Sequence, residues 1–133
     1  MSHENVETAR RAFDNFNRRE LATAVEAFDP DAEWIPYLAA LEEHTYRGRE
    51  RIEAMWREVL GDFPDFRIEL MEVVTDRGDI IVLKVEFQGM GRASGADTRA
   101  AVFQVVSFRD EKVARVEGFQ DRAEALEAAG LRE

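Results

Sequence analysis

In the first part of the chain, apolar residues recur every three or four positions. Val6, Ala9, Phe13 and Phe16 form one stripe with Arg10, Arg11 and Asp14 between them. That spacing predicts an amphipathic helix, with Ser2 as its N-cap. A polar break at Asn17-Arg18-Arg19 follows, and Leu21, Ala24, Val25 and Phe28 then mark one face of a shorter second helix. Asp29-Pro30 should stop it, because proline cannot continue the hydrogen-bond ladder. Asp31 to Ile35 predicts a short strand, and Pro36 to Arg47 a loop. Gly48 opens a third helix, with Ile52, Met55, Trp56, Val59 and Leu60 on one face and Gly61 as its stop.

The period then changes from 3.6 to 2. Phe66, Ile68 and Leu70 alternate with Arg67, Glu69 and Met71, and the turn Asp76-Arg77-Gly78-Asp79 leads into a strand from Ile80 to Gln88. The glycine-rich stretch Gly89 to Gly95 predicts a hairpin connection to a strand from Thr98 to Phe108. A tight turn at Arg109-Asp110-Glu111-Lys112 joins it to a last strand, Val113 to Gln120. Asp121 and Glu124 then form an Asp-x-x-Glu variant of the capping box, opening a short helix that Gly130 closes. Helices segregated from a meander of strands predict an α+β fold with an antiparallel sheet, not alternating βαβ units.

Length and charge narrow the picture. The 133 residues suit one domain spanning 1–133, which can bury roughly 70% of its unfolded surface. A formal charge of −10 argues against nucleic acid and anionic lipid as partners. With no cysteine, thiol catalysis, thiolate zinc sites and disulfides are excluded. Apolar runs such as Ile80 to Leu83 fall far short of the roughly 20 residues a membrane helix needs. The polar N-terminal segment does not resemble a secretory leader. A cytoplasmic domain is expected, with no membrane partner.

Several short motifs carry less chemistry than they advertise. Gly89, Gly91 and Gly95 lead into a strand, so no helix N-terminus follows to hold a pyrophosphate. Asp29, Asp31 and Glu33 alternate like a calcium loop, but Trp34 and Ala40 stand where that loop needs a glycine and a bidentate glutamate. Arg77-Gly78-Asp79 reads as a β-turn. His3 and His44 have no partner ligands at metal-binding spacing, and Ser94 lacks the glycine of a nucleophile elbow. No metal and no cofactor are expected. What remains is aromatic: Phe13, Phe16, Phe28, Trp34, Tyr37, Tyr46, Trp56, Phe66, Phe87, Phe103 and Phe108. Such residues usually form core, yet they outnumber what helices packed on a sheet need, and a cavity lined by them is the sharper reading.

The order of elements, with its landmarks, resembles the SnoaL-like group of the nuclear transport factor 2-like superfamily, related to polyketide cyclases and ketosteroid isomerases. The landmarks are Ala12 to Asn17, Phe28 to Trp34, Tyr46 to Glu50, Phe63 to Phe66, Ser107 to Val113 and Asp121 to Leu126. The resemblance implies a cone in which a curved antiparallel sheet wraps three N-terminal helices around a deep pocket. It also implies a homodimer paired through the outer sheet face. Strand parity sorts the residues into two faces, and the resemblance implies which is the inside: Ile81, Leu83, Val85 and Phe87, with Val102, Gln104, Val106 and Phe108, and with Val116, Gly118 and Gln120. Ile80, Val82, Lys84, Glu86, Phe103, Val105, Ser107, Arg115, Glu117 and Phe119 face outward, toward a partner or solvent.

The resemblance also locates the positions where relatives keep reactive groups. An isomerase of this fold needs a carboxylate base and two donors for the developing oxyanion. Here the donor tyrosine's position holds Ala12, the base position holds Pro36, and the second donor position holds Gln104, which can still donate. The acid that cyclases and epoxide hydrolases carry on the last strand corresponds to Gly118. No catalytic residue is therefore assigned. The sequence reads as a domain that binds a small hydrophobic molecule with one or two polar handles. Its expected pocket is Phe16, Phe28, Trp34, Met55, Trp56, Leu83, Val85, Phe87, Val102, Gln104, Val116, Gly118 and Gln120. The alternative is an enzyme of the isomerase, cyclase or epoxide hydrolase type acting on a hydrophobic oxygenated substrate, for which Glu33, Glu86, Glu117 and Asp121 are the carboxylates to inspect. A third reading has the pocket filled by its own side chains and the sheet face binding another protein.

Overall fold

The chain runs α1 (Ser2–Asn17), α2 (Leu21–Val25), β1 (Phe28–Ile35), β2 (Tyr46–Arg47), α3 (Arg49–Asp62), β3 (Arg67–Asp76), β4 (Ile80–Met90), β5 (Asp97–Arg109), β6 (Lys112–Phe119) and α4 (Arg122–Ala128). These bounds come from a computed structural model that describes residues 2–36, 45–90 and 97–130. The strands form one curved, unclosed sheet in the order β2-β1-β6-β5-β4-β3. Every pairing is antiparallel except β1 with β6, which is parallel. The fold is α+β, with the helices leading the chain and a short helix ending it.

Several local expectations change. Ser2 is already helical, so it does not sit outside α1 as a cap. The second helix has only five residues, and Phe28 opens β1 instead of closing that helix. Pro30 is tolerated in the strand because the register to β6 breaks between Phe28 and Glu33, where no ladder donor is needed. Tyr46 and Arg47, expected in a loop, pair with Trp34 and Glu33 as β2. Gly61 lies inside α3, which runs on to Asp62, while Gly48 flanks its start at φ 92, a conformation that favours glycine. The third strand continues past Leu70 through two register shifts that break the alternation in its sequence. The glycine-rich connection at 91–96 lies outside the described residues, as do Tyr37 and His44.

Two-sidedness organises the sheet. Its inner face carries Ile81, Leu83, Val85, Val102, Val106, Phe108, Val113 and Val116 in one core with Val6, Ala9 and Phe16 of α1 and Ile52 and Trp56 of α3. On the outer face, Val82, Phe103 and Val105 pack against Ala125 and Leu126 of α4. The last helix covers those outward residues. Asp121 caps that helix by accepting a hydrogen bond from the Glu124 N–H at 3.3 Å. Arg122 donates to both carboxylate oxygens of Glu72 at 2.9 and 3.3 Å, tying α4 to β3. On the inner side, Asn17 at the end of α1 donates to the Ile68 carbonyl at 2.9 Å and accepts from the Ile68 N–H at 3.0 Å. This double contact fixes the helix against β3.

Candidate functional site: an aromatic cavity

Between the helices and the sheet lies a partly open cavity of about 360 Å³. Trp56, from the buried face of α3, stands at the centre of its aromatic wall. Edge-on contacts join it to Phe16 and Phe28, both at 5.6 Å between ring centres, and to Trp34 at 6.0 Å. Phe28 and Trp34 stack at 6.1 Å because β1 places them on the same side. Phe66 joins the group through Phe16 at 6.0 Å and Phe87 at 5.4 Å. The rings hold one another in the edge-to-face and stacked arrangements that aromatic quadrupoles favour, yet they leave the space between them open.

Most of the expected pocket residues meet here. Phe16, Phe28, Trp34, Met55, Trp56, Phe87, Val102, Gln104, Val116 and Gly118 all line the cavity. Leu83 and Val85 do not: they have the expected inward facing, but are fully buried in the core with Val6, Ala9 and Ile68, so no open space reaches them. Gln120 is exposed, because β6 ends at Phe119 and the inward parity ends with it. Further lining residues are Phe13, Val59, Phe63, Phe66, Ile68, Gln88, Gly89 and Ala100. Ala100 shares the parity of Val102 and Gln104, so the alternation already carried its signal. Gly89 is a close-approach position, since a Cβ there would meet Phe66 at 3.3 Å and Phe63 at 3.4 Å.

Ala12, Pro36, Gln104 and Gly118, the four positions at which reactive groups were sought, all border the cavity. The carboxylate candidates are engaged elsewhere. Glu33 pairs with Arg47 across β1 and β2. Glu86 accepts from Gln88 at 2.7 Å and pairs with Arg99 at 3.4 Å, while Glu117 pairs with Arg115 at 3.2 Å. Asp121 is the α4 cap. Among the described residues no Asp, Glu, His, Lys or Arg lines the cavity, and no cluster of potential metal ligands occurs. Gln104, 2% exposed, is the single buried polar side chain among them.

The comparisons agree with this architecture. A family model for the SnoaL-like domain matches residues 9–116. No curated protein sequence matches the chain. Among solved structures, an NTF2-like protein of unknown function from Burkholderia pseudomallei is 23% identical, with a TM-score of 0.78 over 96% of this chain and 97% of its own. TerC, co-crystallized with polyporic acid, is 20% identical with a TM-score of 0.76, covering 93% of this chain and 96% of its own. A protein of ketosteroid isomerase-like fold from Catenulispora acidiphila, in complex with trimethylamine, is 15% identical with a TM-score of 0.73, covering 98% and 95%. No helix among the described residues is long and apolar enough to cross a membrane. With its family model matched over most of its length, the chain belongs to the SnoaL-like domain family, and it shares its fold with an NTF2-like structure.

Proposed function

We propose that the protein binds a small, largely apolar molecule in the aromatic cavity, with Phe16, Phe28, Trp34, Met55, Trp56, Phe87, Val102, Val116 and Gly118 as its walls and Gln104 as its polar handle. The observation that carries this reading is an open space of about 360 Å³ walled by aromatic and aliphatic side chains. Burying a ring system there is favoured by roughly 25 cal/mol per Å² of apolar area, before the cost of ordering the ligand. That TerC was co-crystallized with polyporic acid supports the same reading by analogy of fold. Binding is favoured over proton-transfer chemistry because the four carboxylates considered for acid–base work are engaged in ion pairs or a helix cap outside the cavity.

The test is titration with N-phenyl-1-naphthylamine, an uncharged probe that brightens in apolar surroundings. A saturable rise at one probe per chain is expected, and it should vanish in Ala100→Trp, where an indole would occupy the space beside Val102. A rise that survives the filled variant, or no saturable rise at all, overturns the proposal. Pairing of two copies through the outer sheet face belongs to the same proposal only where α4 leaves that face open. Sedimentation equilibrium decides it, and a monomer across the working concentration range would refute it.

A further inference from the structure

Two buried side chains bring to the apolar wall hydrogen-bonding groups that no described residue engages. Gln104 is 2% and Trp56 6% exposed, and neither the Gln104 amide nor the Trp56 indole N–H has a hydrogen-bond partner among the described residues. Among the described residues, no side-chain polar atom that is shut off from open space lacks a partner. Both groups therefore border open space, and the space these two residues line is the cavity.

The two groups ask for different things. A glutamine amide donates or accepts, whereas an indole nitrogen only donates. A donor on an apolar wall with no partner among the described residues favours a ligand that brings an acceptor and discriminates against the analogue that lacks one. Charge is selected as well. No ionisable side chain among the described residues lines the cavity, so an ion entering it would shed its water with no countercharge to meet. The formal charge of −10 further opposes anions.

We infer that the cavity takes its ligand in uncharged form, and that the Trp56 indole N–H is a specificity determinant donating to a carbonyl-type oxygen, with Gln104 holding the same oxygen or a second one. This rests on the binding reading above and narrows it to neutral ring compounds bearing an acceptor, such as ketones, quinones and esters. A ligand whose hydroxyl can ionise binds as the protonated species, because desolvation in the cavity opposes the charged form.

Three matched probes test the inference: fluorene, 9-fluorenone and fluorene-9-carboxylate, followed by quenching of tryptophan fluorescence. The ketone and the hydrocarbon should bind, and the carboxylate should bind at least about 100-fold more weakly at neutral pH. Trp56→Phe keeps a ring, removes the donor and leaves Trp34 as reporter. It should weaken 9-fluorenone by about five- to tenfold and change fluorene less than about twofold. A second readout needs no variant: the Trp56 indole proton should move downfield in NMR spectra with 9-fluorenone and not with fluorene. Equal losses for both probes, an unmoved indole proton, or a carboxylate bound as tightly as the ketone would overturn the inference and leave the binding proposal standing. Failure of all three probes to bind would overturn both.

Discussion

Gln104 and Gly118 stand directly opposite each other on β5 and β6, and both border the cavity. The amide therefore faces a strand position that has no side chain. Gly118→Asp would place a carboxyl beside that amide in apolar surroundings. Its pKa should lie above the ordinary aspartate value of about 4, because burial opposes the charged form. Carbon-13 NMR titration of the introduced carboxyl reads this directly, and an ordinary value would show that water reaches the site freely.

Replacing the handle itself should separate stability from binding. Gln104→Leu exchanges a buried amide without a partner for an apolar side chain of similar length. The unliganded protein should lose no stability and gain at most about 1 kcal/mol, since the amide makes no hydrogen bond to a described residue and an apolar side chain replaces it. Affinity for an oxygenated ligand should fall while affinity for the matching hydrocarbon holds. Urea unfolding and paired titrations give both quantities, and a loss of stability would mean that the amide is satisfied in the unliganded protein.

Trp56 joins three other rings at 6.0 Å or closer, so its removal should be felt widely. Trp56→Ala should destabilise the protein by about 3–5 kcal/mol, the range for deleting a large buried aromatic side chain. Thermal unfolding checks the figure. A loss under about 1 kcal/mol would indicate that the rings around the cavity are loosely held.

The cap on α4 makes a local prediction. Asp121→Ala removes the acceptor for the Glu124 N–H and should cost about 1 kcal/mol. Fraying of the helix would then uncover Val82, Phe103 and Val105 on the outer sheet face. Hydrogen exchange should quicken in α4 and leave α1 unchanged. Uniform quickening across the chain would contradict a role confined to the cap.

Acid should loosen the same helix. The hydrogen bond from Arg122 holds the Glu72 carboxyl below the usual glutamate range, with the charges of Arg122 and Lys84 acting in the same direction against desolvation. A pKa lowered by folding contributes stability above the unfolded value, and that contribution disappears as pH falls through the folded one. Wild type and Glu72→Gln should therefore differ near neutrality, and the difference should close progressively as pH falls below the ordinary glutamate value of about 4.3. The difference should shrink in high salt, because Glu72 is exposed. Chemical denaturation across pH and salt would show a constant gap if the pair played no part.

Much of the fold was legible because single elements declare their own periodicity. The stripe Val6, Ala9, Phe13 and Phe16 follows a helix whatever it packs on, and the strand parity around Gln104 placed Val102 with it and carries the same signal for Ala100, which the sequence reading missed. What stayed hidden depends on partners distant in sequence. Phe28 fits a helical face as well as a strand, and only pairing with Val113 of β6 settles it. Leu83 and Val85 have the correct facing, but whether an inward side chain meets open space or a helix depends on packing depth. The covering of Val82, Phe103 and Val105 by α4 was equally invisible, since a short helix with Ala125 and Leu126 on one side does not announce which surface it meets. For the same reason Trp56 read as core or wall, without the unpaired N–H that distinguishes the two.

The Asn17 side chain has a consequence beyond anchoring α1. Strand β3 ends the sheet, so its outer margin is where an extra strand from a second molecule could add on. By occupying both backbone groups of Ile68, Asn17 mimics such a strand at one position and denies the site to an intruder. The helix that shapes the interior thus also guards the sheet against runaway self-association into fibrillar stacks.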